Sequence, residues 1–101
     1  DLAAEHVLYD VAQQTLTGVI DWSEIAISDI SIDVAGLFHW GARAWIDAVR
    51  SHYVGKIDQR VLDRARFLAA CRGVGDIAFG LDTGRKEYNQ AGIRALNFCF
   101  F

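Results

Sequence analysis

The spacing of apolar positions changes once along the chain. His6–Asp10 and Leu16–Trp22 are short runs rich in β-branched and aromatic residues, separated by Val11–Thr15, a length suited to a hairpin loop. Asp10 ends the first run, where its side chain can accept backbone amides in the turn. The second run is apolar at consecutive positions, which predicts cover on both faces. After Asp29 the spacing becomes helical. Ser28 or Asp29 is placed as an N-cap, and Asp33 falls in the first turn, where a negative charge suits the helix dipole. Val34, Leu37 and Phe38 share one face. Trp45, Ile46, Val49 and Tyr53 form a second stripe that ends near Gly55. Asp58 is placed to cap a third helix with the stripe Val61, Leu62, Ala65, Leu68 and Ala69. Gly73 and Gly75 interrupt it, as a kink or a close helix contact, and Val74, Ile77, Ala78 and Leu81 carry the spacing on to Gly84. A last helix from Arg85 carries Tyr88, Ala91, Ala95, Leu96 and Cys99. The predicted fold class is α+β, mostly α: a short β-hairpin followed by four or five helices. A lone hairpin is not stable in water, so this one is expected to lie on the helices.

The 101 residues allow one domain at most, and 52% hydrophobic content excludes a disordered chain. No apolar run reaches the roughly 18 residues of a membrane span, and no secretory signal opens the sequence. A chain without Met that opens on Asp1 reads as a piece of a longer protein, a single partial domain. Its charge is uneven. Up to Ala42 there are seven acids and no Lys or Arg; from Arg43 onward ten bases meet six acids. An acid-only segment repels phosphate backbones and attracts metal ions or cationic ligands. The later bases are diluted by acids and form no basic cluster, so neither nucleic acid nor membrane is an expected partner. Cys71 and Cys99 lack metal-ligand spacing. They read as buried free thiols and point to a reducing cytoplasm.

Three residues carry candidate chemistry. Asp1 precedes the first strand, His6 opens it and Asp21 closes the second. A hairpin brings its outer ends together, so His6 and Asp21 are expected as neighbours with Asp1 close by. Two carboxylates and an imidazole around one point could hold a hard cation such as Mg²⁺, and one acid could orient a hydroxyl nucleophile. Asp21 stands out because it lies between Ile20 and Trp22, where an unpartnered carboxylate is costly. Asp29 reads as a helix cap rather than a ligand, and Asp33 as structural. His39, His52 and the aromatics Phe38, Trp40, Trp45, Phe67 and Phe79 read as packing residues. Glu24 could face a cationic substrate or solvent.

Asp1-Leu2-Ala3-Ala4-Glu5-His6, a strand to Asp10 and then Ile20-Asp21-Trp22 resemble the aminoglycoside phosphotransferase family, with its H-G-D-x-x-x-x-N loop and I-D-[WF] segment. Ile27-Ser28-Asp29-Ile30-Ser31-Ile32-Asp33-Val34-Ala35 resembles that family's D-P-x-x-D-[LF]-A element, which opens a helix, with Ile30 in the place of Pro. The resemblance is close over about the first 40 residues. It implies the C-terminal lobe of a protein-kinase-like fold, with residues 1–28 as catalytic loop and metal-binding hairpin and 29–101 as helical subdomain.

The same resemblance implies roles. Asp1 would be the catalytic Asp that accepts or orients the substrate hydroxyl proton. Asp21 would be the principal Mg²⁺ ligand, joining the metal to the β- and γ-phosphates of ATP or GTP. His6 takes the place of the Asn, beside metal and phosphates, as in the branch that includes macrolide phosphotransferases. An imidazole is a poorer Mg²⁺ ligand than an amide oxygen, so contact through water or to phosphate stays open. Trp22-Ser23 replaces the Phe-Gly of protein kinases and argues against that class. The implied activity is phosphoryl transfer to a hydroxyl of a small molecule, an antibiotic of the aminoglycoside or macrolide kind. No GxGxxG or GxxxxGK loop is present, so the chain alone is expected to be inactive and to self-associate through surface exposed by truncation. The other reading is a non-catalytic helical interaction module, or a pseudo-kinase that keeps the fold without turnover.

Overall fold

The helical spacing is realised as four helices in the computed structural model, which describes residues 1–41 and 43–100. A short 3-10 turn at Ala4–His6 leads into β1 (Val7–Asp10), which pairs with β2 (Thr15–Val19). Then follow α1 (Ser31–His39), α2 (Arg43–His52), α3 (Gln59–Thr83) and α4 (Lys86–Phe100).

The core lies among the helices. Val34, Leu37 and Phe38 of α1 pack with Leu62, Ala65 and Ala69 of α3, and with Ile46 of α2 and Cys99 of α4. Small residues dominate the α3 side, which lets the helices approach closely. α3 starts where expected: Asp58 caps it by accepting the Val61 amide at 3.1 Å. It then runs through Gly73 and Gly75 without a break, so the interruption is a close contact and not a kink. A Cβ on Gly73 would sit 3.1 Å from the Gly92 carbonyl oxygen of α4, and one on Gly92 would overlap the Gly73 carbonyl. The two helices touch there backbone to backbone.

The hairpin is antiparallel, with Val7 opposite Val19 and Leu8 opposite Gly18. The register then slips, so that Tyr9 faces Leu16 and Thr17 is left without a partner. A bulge of this kind increases local twist. Asp10 Oδ1 accepts the Gln13 amide at 2.9 Å, closing the turn as its position suggested. The expectation of cover fails. Leu8, Leu16, Val19 and Ile20 are all exposed, and neither strand makes an extensive contact with a helix among the described residues. The reason lies in the connections: the hairpin is attached through its ends, by residues 1–6 and 20–30, and not through its faces.

Other packing expectations also shift. Phe38 is buried and Trp40 packs against the core, whereas Trp45, Phe67 and Phe79 are largely exposed; Trp45 meets the Trp40 ring edge-on. Phe79 instead packs edge-on against Tyr88. Both cysteines are free, but Cys71 is exposed. Cys99 alone is buried, and burial pushes its thiol up from the usual range. No described helix is long and apolar enough to cross a membrane.

The loop after the hairpin is tied to α3 by one ion pair. Arg64 Nε donates to Asp29 Oδ2 at 2.7 Å and its Nη2 to Oδ1 at 3.2 Å, while Oδ1 also accepts the Ser31 amide at 2.9 Å. The N-cap of α1 is Ile30, one residue later than expected and without a side-chain bond of its own; Asp29 instead holds the first helical amide from just outside the cap and anchors the loop to α3. The Arg64 guanidinium first, and the Ser31 amide second, lower its carboxyl from 3.8 to about 2. A depressed carboxyl adds stability that is fully present above its unfolded value and lost as pH falls through its folded one. Asp29→Asn should therefore be less stable than the parent near pH 6, and the gap should close between about pH 4 and pH 2. Denaturant unfolding across that window checks this; a gap that does not change with pH would refute it.

Candidate active site

The site begins with one backbone hydrogen bond. Beyond the Val7–Val19 pair, the Ile20 amide donates to the His6 carbonyl at 2.8 Å. This bond carries the ladder to the base of both strands and brings the next residue, Asp21, against the His6 ring. His6 Nε2 lies 3.2 Å from Asp21 Oδ2, with the imidazole mostly covered and the carboxylate about half exposed. The neighbours expected from the hairpin are thus brought together.

Asp21 has a left-handed backbone, φ 62°. Outside glycine that conformation is uncommon, though Asp tolerates it better than most residues, and it occurs where surroundings hold it in place. Two bonds do so here. Trp22 Nε1 donates to the Val19 carbonyl at 2.8 Å, and Ser23 Oγ donates to Asp21 Oδ1 at 2.8 Å. The Ser23 hydroxyl is the main influence lowering the Asp21 carboxyl below its ordinary range; desolvation opposes it and His6 assists. Asp21 is a carboxylate at neutral pH.

Asp1 is placed by the helices. The main-chain nitrogens of Asp1 and Leu2 both lie against Asp33 Oδ1, at 2.9 and 3.0 Å. On the other side Arg72 reaches in from α3: Nη2 pairs with the Asp1 carboxylate, and Nη1 donates to the Leu2 carbonyl at 3.2 Å. That carbonyl rests on Gly36 of α1, where a Cβ would overlap it. Asp33 is structural, as its sequence position suggested, but its partner is the loop before β1 and not only its own helix. The apolar spacing gave no sign of Arg72 or Ser23. Gly36, a glycine inside an otherwise apolar helical turn, was the available hint of a close approach.

Asp1, His6 and Asp21 line two neighbouring concavities. One, about 690 Å³, also includes Trp22, Glu24 and Tyr53, so Glu24 shares a cavity with all three. The other, about 860 Å³, lies toward the helices and includes His39, Arg72, Asp76 and Arg94. His39 is more than packing: its Nε2 lies 2.6 Å from Asp76 Oδ2 in a half-buried pair between α1 and α3. Among the described residues His52 bonds within its own helix, to Ser51 and Ala48.

The three residues do not form a single ligand cluster. His6 and Asp21 pair with each other, and Asp1 pairs with Arg72. Among the described residues no three His, Cys, Asp or Glu side chains converge to hold a metal by themselves. This donor set still fits Mg²⁺, which is commonly held by one or two carboxylates while substrate phosphates and water complete its shell. An ionised, half-exposed Asp21 beside an imidazole offers such an anchor.

A helical layer carrying a short hairpin, with acids gathered where the hairpin joins it, is a mostly helical α+β arrangement. The model of the family described as the phosphotransferase enzyme family matches residues 1–68, and the chain belongs to that family. The match takes in the hairpin, α1, α2 and the first part of α3. No curated protein and no solved structure matches the chain.

The seat on α1 has a testable sign. At an exposed helix position Gly→Ala stabilises by about 1 kcal/mol. At Gly36 the added methyl meets the Leu2 carbonyl, so Gly36→Ala should instead destabilise by about 1–3 kcal/mol, as overpacking does. Thermal unfolding measures this, and a raised midpoint would show that the loop does not sit there.

Proposed function

We propose that this chain carries the phosphoryl-transfer edge of a Mg²⁺-dependent phosphotransferase that moves the γ-phosphoryl group of ATP or GTP to a hydroxyl of a small molecule. The observation that carries the reading is the shared edge. Asp1, His6 and Asp21 border both concavities, so a donor on one side and an acceptor on the other would meet at these groups.

The roles follow from the chemistry of each side chain. The Asp1 carboxylate takes the proton of the acceptor hydroxyl as its oxygen bonds to the γ-phosphorus. The bond from that phosphorus to the bridging oxygen breaks, and the nucleoside diphosphate leaves. Asp21, with His6 beside it, would hold Mg²⁺. When bound, the cation neutralises charge on the β- and γ-phosphate oxygens. His6 orients the Asp21 carboxylate through Nε2 and borders the phosphates. Most of this chemistry is positioning and electrostatics, which suits residues pinned by backbone bonds.

Glu24 and the acidic first segment support a cationic acceptor, an antibiotic of the aminoglycoside or macrolide kind, and the two free cysteines support a reducing cytoplasm. His6 in place of an amide favours a second reading, a pseudo-kinase that binds nucleotide without turnover. In the full-length protein, Asp1→Asn and Asp21→Asn should each lower transfer by about 10²–10⁴-fold, the usual contribution of a positioned acid–base group. Release of nucleoside diphosphate against a panel of hydroxylated antibiotics measures it. Unchanged turnover in either variant excludes the first reading. A magnesium- and nucleotide-dependent rise in thermal stability with no transfer to any acceptor would favour the second.

A further inference from the structure

We propose that Arg72 is a positioning residue for Asp1, holding its carboxylate in the orientation needed to receive the acceptor's proton. The inference rests on the reading of Asp1 as the proton acceptor, and adds a residue outside the stretch matched by the family model.

Three observations carry it. Arg72 forks across two successive residues, pairing with Asp1 Oδ1 through Nη2 and donating to the Leu2 carbonyl through Nη1. The fork fixes side chain and main chain together and engages Oδ1, so the acceptor's proton is assigned to Oδ2. A guanidinium does not release its proton in a protein, so it orients Asp1 without competing as an acid.

The base of Arg72 is itself fixed. The next residue, Gly73, is the point where α3 meets α4 backbone to backbone, which prevents α3 from sliding or turning there. One turn further along, Asp76 could compete for the guanidinium, but His39 engages it at 2.6 Å. Asp33 holds the opposite side of the same two residues through their main-chain nitrogens. Arg72 is thus committed to Asp1 and Leu2.

The test is a double-mutant cycle in the full-length protein, with transfer and nucleotide KM measured for Arg72→Gln, Asp1→Asn and the pair. Arg72→Gln should lower kcat by about 10²-fold, the scale of a misplaced reacting group, with nucleotide KM unchanged. In the Asp1→Asn background it should cause no further fall, because Arg72 acts through that carboxylate. An unchanged kcat in Arg72→Gln, or the same fall in both backgrounds, overturns the proposal; the second outcome is what a merely structural role produces. Full turnover in Asp1→Asn would instead remove the reading of Asp1 on which the proposal stands. If circular dichroism shows Arg72→Gln to be unfolded, Arg72→Lys carries the same comparison. It keeps the charge, loses the fork, and should show a smaller fall in kcat that again vanishes in the Asp1→Asn background.

Discussion

The seating of Asp1 and Leu2 on α1 is the contact on which the rest of the site depends. Gly36 gives the Leu2 carbonyl room to lie against the helix, and Asp33, one turn earlier, accepts both main-chain nitrogens. The path of Ala3–His6, the entry of β1 and the position of the hairpin all follow from that seat. Neither strand is held by its faces. The hairpin is a lever attached at its base, and its base is where the acids lie.

The electrostatic arrangement has the same origin. Asp21 reaches His6 because the Ile20 amide bonds to the His6 carbonyl, not because two charged groups attract across open space. An exposed ion pair contributes little to stability. Backbone bonds and the left-handed turn at Asp21 do the placing, and the charges then act on whatever is bound. The division of labour suits a protein that belongs to a phosphotransferase family: a stable helical layer carries strained, solvent-facing chemistry at one edge.

Much of this was legible in the sequence because the relevant signals are local. The change from strand-like to helical spacing marks the two regions, Asp58 and Gly84 bound α3, and Asp10 closes its turn. The pairing of His6 with Asp21 followed from simple hairpin geometry. What the spacing could not show is contact between distant segments. Arg72 and Asp1 are 71 positions apart and Asp33 and Leu2 are 31 apart, and no periodicity links them. The same limit explains the misplaced aromatics. Phe67 lies in a helix with a buried stripe of its own, yet on the face that stripe leaves outward. The apolar run of β2 looked covered because residue type reports a preference for burial, not the presence of something to be buried against.

The fixed geometry of α3 also limits how the gene can change. Arg64 holds Asp29 and Arg72 holds Asp1, so one helix grips both ends of the segment that contains the hairpin. The two arginines are eight positions apart, about 12 Å along the axis at 1.5 Å per residue. Inserting or deleting a single codon between them would turn one relative to the other by about 100° and release one grip. The turn at Val11–Gln14, which touches neither arginine, could vary in length freely. Within this chain, a region of strict codon spacing is therefore predicted in a long surface helix, and tolerance to length change in the hairpin that carries the acids.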